Sequence, residues 1–590
     1  MELTGEEKLL EPIKFYKEEL AGKFLEKISN IFEKLLKDSN IDIEANRKSV
    51  EEYNKLSKAK IKCEKKLKWL KRLSIVIIIV TAFIGFREFN SATYLKYAIE
   101  YQDDIQEAGI EVACLGAIIL GLLIFNFKYL RGEKKKTIKR IADLKDEVAA
   151  KMNECYSQVN PLLKLFDSGM ANKVITEVIP TLNIDEHFKI ERYAELVNKF
   201  ELSEKLSSNM STKDIISGDI LGNPFLIVKS IANYVVDEVY TGSITVSWTE
   251  YYTDSDGKRQ SRTRTETLTA SLVRPKQVFN DKVTLVYANN ASEHLSFTRE
   301  PGFVHELTPR KLEKHIKKKS KALKKKSEKA IMKGESFLEM GNSEFEVLFN
   351  ALNRNHEVEF RVLFTPIAQR NMIELLKDKD FGDEFTFEKA FKLNIINNNR
   401  DWIMNAHKSC YNDFSYDMIK EKFFDINKKY FNNFYRLFLP IFSIPIYHQH
   451  KTQDYIYGNE YHCNYNPYTT EVMANLVGHG AFSHSETVTP AILKTKTIES
   501  SENEDYIEVT SKSYKIITRT EYVARTASNG RVYQVPVSWP EYIPLSAVGH
   551  MHVKNIADSE KEFEESLNSG KYEFIKGKDC VYRNKLVAYM

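Results

Sequence analysis

Two long apolar runs interrupt the otherwise hydrophilic first third of this 590-residue chain. They are LSIVIIIVTAFIGF, 73–86, and VACLGAIILGLLIF, 112–125, and neither has the polar face of an amphipathic helix. A helix of such length covers about 21 Å, which is short of a bilayer core about 30 Å thick. Flanking residues lengthen the runs to 69–87 and 109–127, and basic side chains near their ends can reach the headgroups.

The charges around these runs are strongly asymmetric. Residues 60–72 and 128–140 each carry seven Lys and Arg, whereas residues 87–111 carry two basic and six acidic residues. Because Lys and Arg accumulate on the cytoplasmic side of membrane helices, this asymmetry predicts a two-pass hairpin with an external loop at 88–108. Both termini would then be cytoplasmic, in an inner or plasma membrane. Two buried helices of a soluble core are the alternative.

Amphipathic stripes continue on both sides of this hairpin. Apolar residues recur every three or four positions, as on one face of a helix, at Leu20, Phe24, Ile28, Ile31 and Leu35, and at Ile138, Ile141, Leu144, Val148, Met152 and Cys155. Antiparallel packing of the two helices below the membrane would bury both stripes. Self-association through them is the alternative.

The pattern changes to a period of two from about residue 212. In GSITVSWTEYY, 242–252, apolar residues alternate with Ser and Thr, and SRTRTETLTASLV, 261–273, alternates again after a turn signal. Two such segments predict a β-hairpin. A two-residue Asp256-Gly257 turn would place their apolar residues on opposite faces. We therefore predict a loop of odd length or a bulge, with Gly257 in the left-handed conformation.

A further strand and a second hairpin are predicted downstream. KVTLVYAN, 282–289, is the strand, and KIITRTEYVART and VYQVPVSWPEYIPL flank the turn dipeptide Asn529-Gly530. VSWPEYI, 537–543, shares five of seven residues with VSWTEYY, 246–252, although the order of the strands is reversed. The β-propensity of these residue types favours coincidence. The alternative is that the two regions pair their sheets.

Together these patterns predict an α+β fold: an N-terminal helical segment with a two-helix transmembrane hairpin, followed by mixed antiparallel-sheet and helix cytoplasmic domains. The expected parts are a cytoplasmic helical segment, 1–68; the hairpin, 69–127; a helical stalk, 128–211; a β-rich domain, 212–378, with an inserted Lys-rich helix, 308–338; and a C-terminal α+β domain, 379–590.

The overall charge is nearly balanced, with 86 basic and 82 acidic residues and a net charge of +4. A polyanionic partner would therefore need a local basic patch. One such patch lies between Arg310 and Lys333, where 12 Lys and Arg stand against two Glu. A narrow apolar seam recurs every seven residues through it, at Ile316, Leu323, Ala330 and Phe337.

This Lys-rich segment has two interpretations. The first is a solvated helix that packs through its seam. The second is a helix that lies on anionic membrane lipid, where each Lys contributes on the order of 1 kcal/mol. The residues expected to contact lipid are Lys317, Lys318, Lys319, Lys324, Lys325 and Lys326. Nucleic acid is not expected as a partner, because no aromatic residues interleave the lysines to stack on bases.

Histidines are concentrated late in the sequence, where YHQHKTQDYIYGNEYHC, 447–463, holds three of the 13. Two H-x-H pairs, His448 with His450 and His550 with His552, could bind zinc or another divalent metal from neighbouring strands. The alternative function is therefore a membrane-anchored, metal-dependent hydrolase. Against it, no spacing typical of a known metal site is present, and the many nearby tyrosines favour a polar aromatic core that needs no cofactor.

Several segments resemble an uncharacterised family of bacterial membrane proteins with a two-helix anchor and a cytoplasmic domain of unknown function. They are GNPFLIV, YTGSITVSWTEYYTDSDG, RTETLTASLVRP, LVYANNASEHLSFTR and EFEVLFNALNRNHEVEFRVLFTPIAQRNM. The last also resembles a wider group of domains in which F-x-x-x-F, here Phe345 and Phe349, precedes a strand ending in T-P, here Thr365 and Pro366. The resemblance implies a bacterial membrane setting and supplies no catalytic residue.

The predicted function is accordingly binding rather than catalysis. The chain contains no phosphate-loop, dinucleotide-binding or nucleophile-elbow motif, so no catalytic residue is assigned. We expect an integral membrane protein that presents a cytoplasmic binding or scaffold module. Its expected partners are membrane lipids and, through the helical segments, other proteins or a second copy of the chain.

Overall fold

The computed structural model divides the chain into two compact units. Residues 27–170 and 406–427 form one, which we call the helical unit, and residues 1–26, 171–405 and 428–590 form the other, the sheet unit. The described residues are 8–101, 105–167, 169–179, 181–203, 206–253, 257–334, 337–398, 408–449, 467–501, 504–555, 562–563, 565–566, 569, 580–583 and 586–590.

The described helices include several very long ones. In chain order they are α1 (Pro12–Phe15), α2 (Ala21–Ser39), α3 (Ile43–Tyr101), α4 (Ile105–Ile124), α5 (Arg131–Leu165), α6 (Met170–Val178), α7 (Ile190–Phe200), α8 (Pro309–Lys333), α9 (Ser343–Phe349), α10 (Glu357–Leu363), α11 (Pro366–Lys377), α12 (Tyr416–Phe442), α13 (Pro467–Val477) and α14 (His479–Phe482). Two π-helical turns, Tyr16–Leu20 and Phe125–Leu130, join neighbouring helices.

Two helical stretches of the helical unit are long and apolar enough to cross a membrane. They lie within Ile43–Thr93 and Val112–Leu165. Only 11% and 6% of their most apolar windows are buried, and Ile79 and Phe83 are 62% and 72% exposed. This apolar surface is not buried within the chain, so the two helices could cross a membrane, as the predicted pair of spans requires.

The segment between the two spans is largely helical, which differs from the loop expected at 88–108. Helix α3 continues to Tyr101 and α4 begins at Ile105. The length of an apolar run predicts where a helix leaves the membrane, but it does not determine where the helix ends. No Pro or Gly lies between Arg87 and Tyr101 to interrupt the backbone hydrogen bonds.

The polar portions of α3 and α5 pack together in antiparallel fashion. Asn46 Nδ2 donates to the Cys155 carbonyl at 3.3 Å, and Lys66 lies 3.1 Å from Glu133, so residue numbers fall on one helix as they rise on the other. The prediction of two antiparallel legs is therefore correct for α5. The predicted partner is wrong, because α5 lies along α3 rather than along the stripe at 20–35.

A buried polar contact joins the two apolar helices near the start of the first span. Ser74 Oγ donates to Asn126 Oδ1 at 2.6 Å, and both residues are buried. Asn126 lies in the π-helical turn Phe125–Leu130. Because the two buried polar groups satisfy each other, this contact fixes the relative register of the two apolar helices.

The sheet unit contains two antiparallel sheets among the described residues. The first has the order β1-β2-β3-β4-β7-β6-β5 and the second β11-β12-β10-β9-β8. The strands are β1 (Leu182–Ile184), β2 (Met210–Ile220), β3 (Asn223–Thr253), β4 (Arg259–Ala288), β5 (Ser296–Arg299), β6 (Phe385–Ala390), β7 (Leu393–Asn398), β8 (Ile492–Ser500), β9 (Glu504–Thr526), β10 (Val532–Asn555), β11 (Cys580–Arg583) and β12 (Leu586–Tyr589).

The domain boundary expected at 378/379 is not present in the structure. Strands β6 and β7 lie beyond that boundary, yet they complete the first sheet beside β4. Residues 212–378 and most of 379–590 consequently belong to one compact unit. The predicted strand 282–289 likewise is the last part of β4 rather than a separate strand. The error in the boundary arises because long-range pairing leaves no local signal in a sequence.

The register of the first hairpin confirms the prediction of an odd loop. Thr253 pairs with Arg259, which leaves five residues in the connection, and Ile244 pairs with Leu268. Gly257 has a φ of +76°, the left-handed conformation expected of it. The second hairpin has the same loop length, because Thr526 pairs with Val532, and Gly530 has a φ of +77°.

The two long hairpins extend past the shorter strands of their sheets and pack face to face. Their apolar faces form one cluster built from Tyr240, Ile244, Val246, Leu268, Ala270, Leu272, Val523, Ala527, Tyr533, Val535 and Val537. Arg274 Nε donates to Glu521 Oε1 at 2.9 Å across the contact. The preference for coincidence between the two hairpins therefore overlooked a real contact, although the hairpins pack by their faces and belong to separate sheets.

Buried ion pairs surrounded by phenylalanine hold the helices α9 to α11 against β5 and β6. The Arg354 guanidinium lies 2.6 Å from Glu346 and 4.3 Å from the centre of the Phe360 ring, and Arg299 pairs with Asp383. The aromatic cluster consists of Phe297, Phe345, Phe349, Phe360, Phe364 and Phe387.

The strand expected to end in T-P is a helix instead. Residues Glu357–Leu363 form α10, and Thr365 accepts a hydrogen bond from the Ala368 amide at 3.4 Å. Thr365 is thus the N-cap of α11, with Pro366 in its first turn. Thr followed by Pro is a common beginning for a helix, because Pro needs no backbone hydrogen bond there.

We expect the substitution Gly242→Ala to destabilise the sheet unit. A Cβ atom at Gly242 would lie 2.0 Å from the Pro536 carbonyl oxygen of the facing hairpin, so the two backbones must separate. Overpacking of this kind costs about 1–3 kcal/mol in the free energy of unfolding, which denaturant titration measures. Gly132→Ala in α5 is the control, since a Cβ there meets nothing within 4 Å. Equal stability of the Gly242→Ala variant and the wild type would contradict the close approach.

Candidate functional site

Helix α8 forms from a highly charged sequence because its two ends are well defined. Pro309 occupies its first turn, and the Leu312 amide donates to the Thr308 carbonyl at 2.9 Å. Gly334 ends it with a φ of +70°, and its amide donates to the Ile331 carbonyl at 3.2 Å. A Pro at the start and a Gly at the end are the common boundaries of an α-helix.

A narrow seam attaches α8 to the sheet unit. Leu323 and Ala330, two members of the predicted seam, are 6% and 2% exposed, and Ser327 lies buried between them. Ser327 Oγ accepts a hydrogen bond from the Glu339 amide at 3.3 Å. The interpretation of this segment as a helix that packs through its seam is therefore correct in its geometry.

The remaining surface of α8 is basic and open to solvent. All 12 Lys and Arg from Arg310 to Lys333 are exposed, including the six lysines predicted to contact lipid. Within the described part of the chain, the side chains from Arg310 to Lys329 form no ion pair. A shallow depression of about 320 Å³ lies over the second half of the helix, lined by Ala322, Lys325, Lys326, Lys329, Ala330 and Lys333.

Two apolar side chains project from the end of the same helix. Ile331 is 62% exposed and Met332 is 86% exposed, next to the basic residues Lys329 and Lys333. Exposed apolar groups among lysines are typical of helices that lie in the headgroup region of a membrane. The seven-residue repeat in the sequence predicts the buried side of this helix, but it does not predict this exposed pair.

The histidine pair on β10 lies on the outer face of the second sheet. His550 stacks on Tyr506 with ring centres 5.2 Å apart, and His552 stacks on Tyr589 at the same distance. His552 Nδ1 also lies 2.9 Å from Glu504 Oε1. Tyr589 donates a hydrogen bond to Glu504, and this bond is the main reason that the pKa of Glu504 is lowered.

The other predicted pair is only partly described. His448 ends the short 3-10 helix Pro445–His448, and its ring meets Phe442 edge-on with centres 6.4 Å apart. His450 lies outside the described residues. Among the described residues, the one group of His, Cys, Asp and Glu that brings ligand atoms within 4.8 Å of one another contains none of these histidines. The four-histidine metal site stays an untested hypothesis.

That group consists of His305, Glu306 and Glu384, and its hydrogen bonds oppose metal binding. His305 Nδ1 accepts from the Asp383 amide at 2.9 Å, so the neutral ring carries its proton on Nε2. Nε2 is the atom that faces Glu384, at 3.3 Å. A metal would need the Nε2 lone pair, which this tautomer does not offer. The group is better explained as a packed hydrogen-bonding unit.

A buried polar network connects Tyr447 to residues of the first sheet. The Tyr447 hydroxyl donates to Asn394 Oδ1 at 2.6 Å, and the Tyr287 hydroxyl donates to the Tyr447 carbonyl at 3.0 Å. Lys389 is 1% exposed, and its ammonium donates to the Phe391 carbonyl at 2.6 Å. Burial lowers the pKa of Lys389 to about 7.

Two buried ionisable groups were missed in the sequence because nothing in their surroundings distinguishes them. Lys389 lies in a strand whose alternation looks ordinary, and Glu195 lies on the amphipathic helix α7. Neither carboxylate oxygen of Glu195 has a partner among the described residues, and burial raises its pKa to about 7. A single sequence does not reveal which charged residue faces inward.

The described fold thus defines an α+β protein with two helices that could cross a membrane and a sheet-rich unit that carries an exposed basic helix. Comparison with known proteins finds no family model, no curated protein and no solved structure that matches the chain. The resemblance to a bacterial two-helix family consequently stays a prediction.

We expect Lys389→Met to stabilise the protein most at low pH. The folded-state pKa of Lys389 lies near 7, below its ordinary value, so the unfolded chain binds more protons between about pH 7 and 10.5. The cost of burying Lys389 is therefore full below pH 7 and fades as the pH rises. Each unit of pKa shift corresponds to about 1.4 kcal/mol, so the gain should be a few kcal/mol larger at pH 6 than at pH 10.

Denaturant titration of this variant at the two pH values measures the difference. Lys512→Met is the control, since Lys512 is exposed and the substitution removes the same charge from the surface. A Lys389→Met gain that is equal at both pH values would show that the buried amine is not the cause.

Proposed function

We propose that this chain is a two-pass protein of the inner or plasma membrane, with both termini cytoplasmic. In this proposal the sheet unit is a cytoplasmic binding or scaffold module, and α8 contacts anionic lipid. The observation that supports the lipid contact is the solvent-exposed basic surface of α8. Among the described residues, the basic side chains from Arg310 to Lys329 form no ion pairs. The asymmetric charges around the apolar helices support the orientation.

Electrostatics supports lipid as the partner of α8. The segment from Arg310 to Lys333 carries 12 basic and two acidic residues, and basic groups this close together repel each other. An anionic lipid surface removes that repulsion and adds on the order of 1 kcal/mol for each nearby Lys. Ile331 and Met332 add apolar groups that can enter the headgroup layer.

The membrane anchor would make a weak contact sufficient. A chain held at the membrane by two spans keeps its other segments at a high effective concentration near the surface, so the basic helix does not need to recruit the protein from solution. The lipid contact would then orient the sheet unit rather than localise it. Such a role needs no catalytic residue.

Hydrogen exchange on the full-length protein in nanodiscs tests this proposal. We expect the backbone amides of α8 to exchange roughly tenfold more slowly in nanodiscs containing phosphatidylglycerol than in pure phosphatidylcholine, because lipid contact stabilises the helix. Raising the salt concentration should reduce the difference. Replacing the six lysines with Gln should abolish it, at Lys317, Lys318, Lys319, Lys324, Lys325 and Lys326.

Arg at the same six positions is the matched control, because it keeps the charge and should keep the lipid-dependent protection. The helix α11 serves as an internal reference within each sample. Equal exchange of α8 in the two lipids, or protection that survives in the Gln variant, would reject the lipid contact. Either result would leave α8 as a solvated helix that packs through its seam.

A further inference from the structure

A polar cleft lies on the sheet unit where a β-bulge interrupts β2. Thr212 pairs with Ser230 and Asp214 pairs with Lys229, so Lys213 is an extra residue in the strand. Bulges redirect side chains and are enriched beside functional sites. The cleft has a volume of about 210 Å³. The residues of interest in its lining are Lys213, Asp214, Lys229, Asn475, His479 and Arg583.

Helix α13 holds the bulge in place from one side. Glu471 accepts a hydrogen bond from the Thr212 amide at 2.8 Å, and Asn475 Nδ2 donates to the Thr212 carbonyl at 2.9 Å. Lys494 lies 2.6 Å from Glu471 and neutralises its buried charge. The backbone before Lys213 is therefore bonded to α13 through both of its polar groups, and the position of the Lys213 side chain does not depend on a flexible loop.

Positive charge exceeds negative charge around the cleft. Lys213 and Lys229 share one carboxylate, Asp281, at 2.6 Å and 3.7 Å, and Arg583 pairs with Asp214. Among the described residues, three cations thus face two carboxylates. The side chains of the three cations are only 20–30% exposed. Solvent therefore screens the excess positive charge less than it would on an open surface.

Two polar atoms of the lining have no hydrogen-bond partner among the described residues. They are Asn475 Oδ1 and His479 Nδ1, and both are buried. Asn475 Nδ2 donates to the carbonyl oxygens of Thr212 and Glu471, which fixes the orientation of the amide. Its Oδ1 is therefore an acceptor without a donor among the described residues. Buried polar groups without partners are rare and commonly mark a place where a water or an ion binds.

We infer that this cleft binds inorganic phosphate in its hydrogen phosphate form. The anion would lie between Lys213, Lys229 and Arg583, which supply positive charge and N–H donors. Its protonated oxygen would donate to Asn475 Oδ1, and His479 would donate through Nδ1. The neutral acceptor distinguishes hydrogen phosphate from sulfate, which carries no proton at neutral pH, and from a lipid phosphodiester, which has no P–OH group. This site is independent of the lipid contact proposed for α8.

Calorimetric titration of the full-length protein in phosphatidylcholine nanodiscs tests this inference. The probes are sodium phosphate, sodium sulfate and the phosphodiester sodium dimethyl phosphate, at constant ionic strength. We expect one saturable site for phosphate, with sulfate and the ester each roughly tenfold weaker or more, because each leaves the Asn475 acceptor unpaired. Lys213→Gln should weaken phosphate binding roughly tenfold, since it removes a charge-assisted hydrogen bond. It leaves Asp281 paired with Lys229, so the fold should persist.

Further variants show whether phosphate binds in this cleft or elsewhere on the protein. His479→Ala should also weaken phosphate binding, whereas Lys512→Gln on exposed β9 should not, and the six-lysine Gln variant of α8 should bind phosphate like the wild type. Absence of a saturable phosphate site would overturn the inference. So would equal affinity for sulfate or the ester, unchanged binding by Lys213→Gln, or an equal loss in Lys512→Gln. Because the titration needs no anionic lipid, its outcome is distinct from that of the exchange experiment on α8.

Discussion

The uninterrupted pairing of β3 with β4 is the constraint on which most of the sheet unit depends. One register runs from the pair Phe225–Tyr287 to the pair Thr253–Arg259. A slip by one residue would turn every side chain of one strand to the opposite face. The same register places Leu285 and Val286 beside β7 at the centre of the first sheet and sets the apolar face that packs on the second hairpin.

The glycine at the crossing of the hairpins follows from this register. Gly242 meets the backbone of Pro536 from the facing ribbon, and no other residue type leaves room there. Beyond the crossing, the opposite face of the β3–β4 ribbon carries exposed Ser and Thr. Hydroxyl side chains keep β-propensity high without adding an apolar patch, which limits association of this long ribbon with other molecules.

Basic side chains have two different environments in this protein. Inside the sheet unit, the buried cations Arg299 and Arg354 have carboxylate partners and aromatic neighbours, which offsets the cost of removing them from water. On α8 the opposite holds, because the basic side chains are exposed and from Arg310 to Lys329 lack ion pairs among the described residues. A surface charge of that density has little value for stability.

The local features of this protein can be predicted from its sequence, whereas its long-range contacts are visible only in the folded chain. Periodicity in short stretches of sequence predicts the apolar runs, the odd hairpin loop with Gly257 and the seam at Leu323. Each of these features depends on residues close together in the chain. Three features depend on residues far apart in the sequence, from 67 positions between Lys66 and Glu133 to 369 between Asp214 and Arg583: the joining of β6 and β7 to the first sheet, the partner of α5, and the cleft around the Lys213 bulge. Such contacts are selected by packing and by paired burial of polar groups, and no local pattern records them.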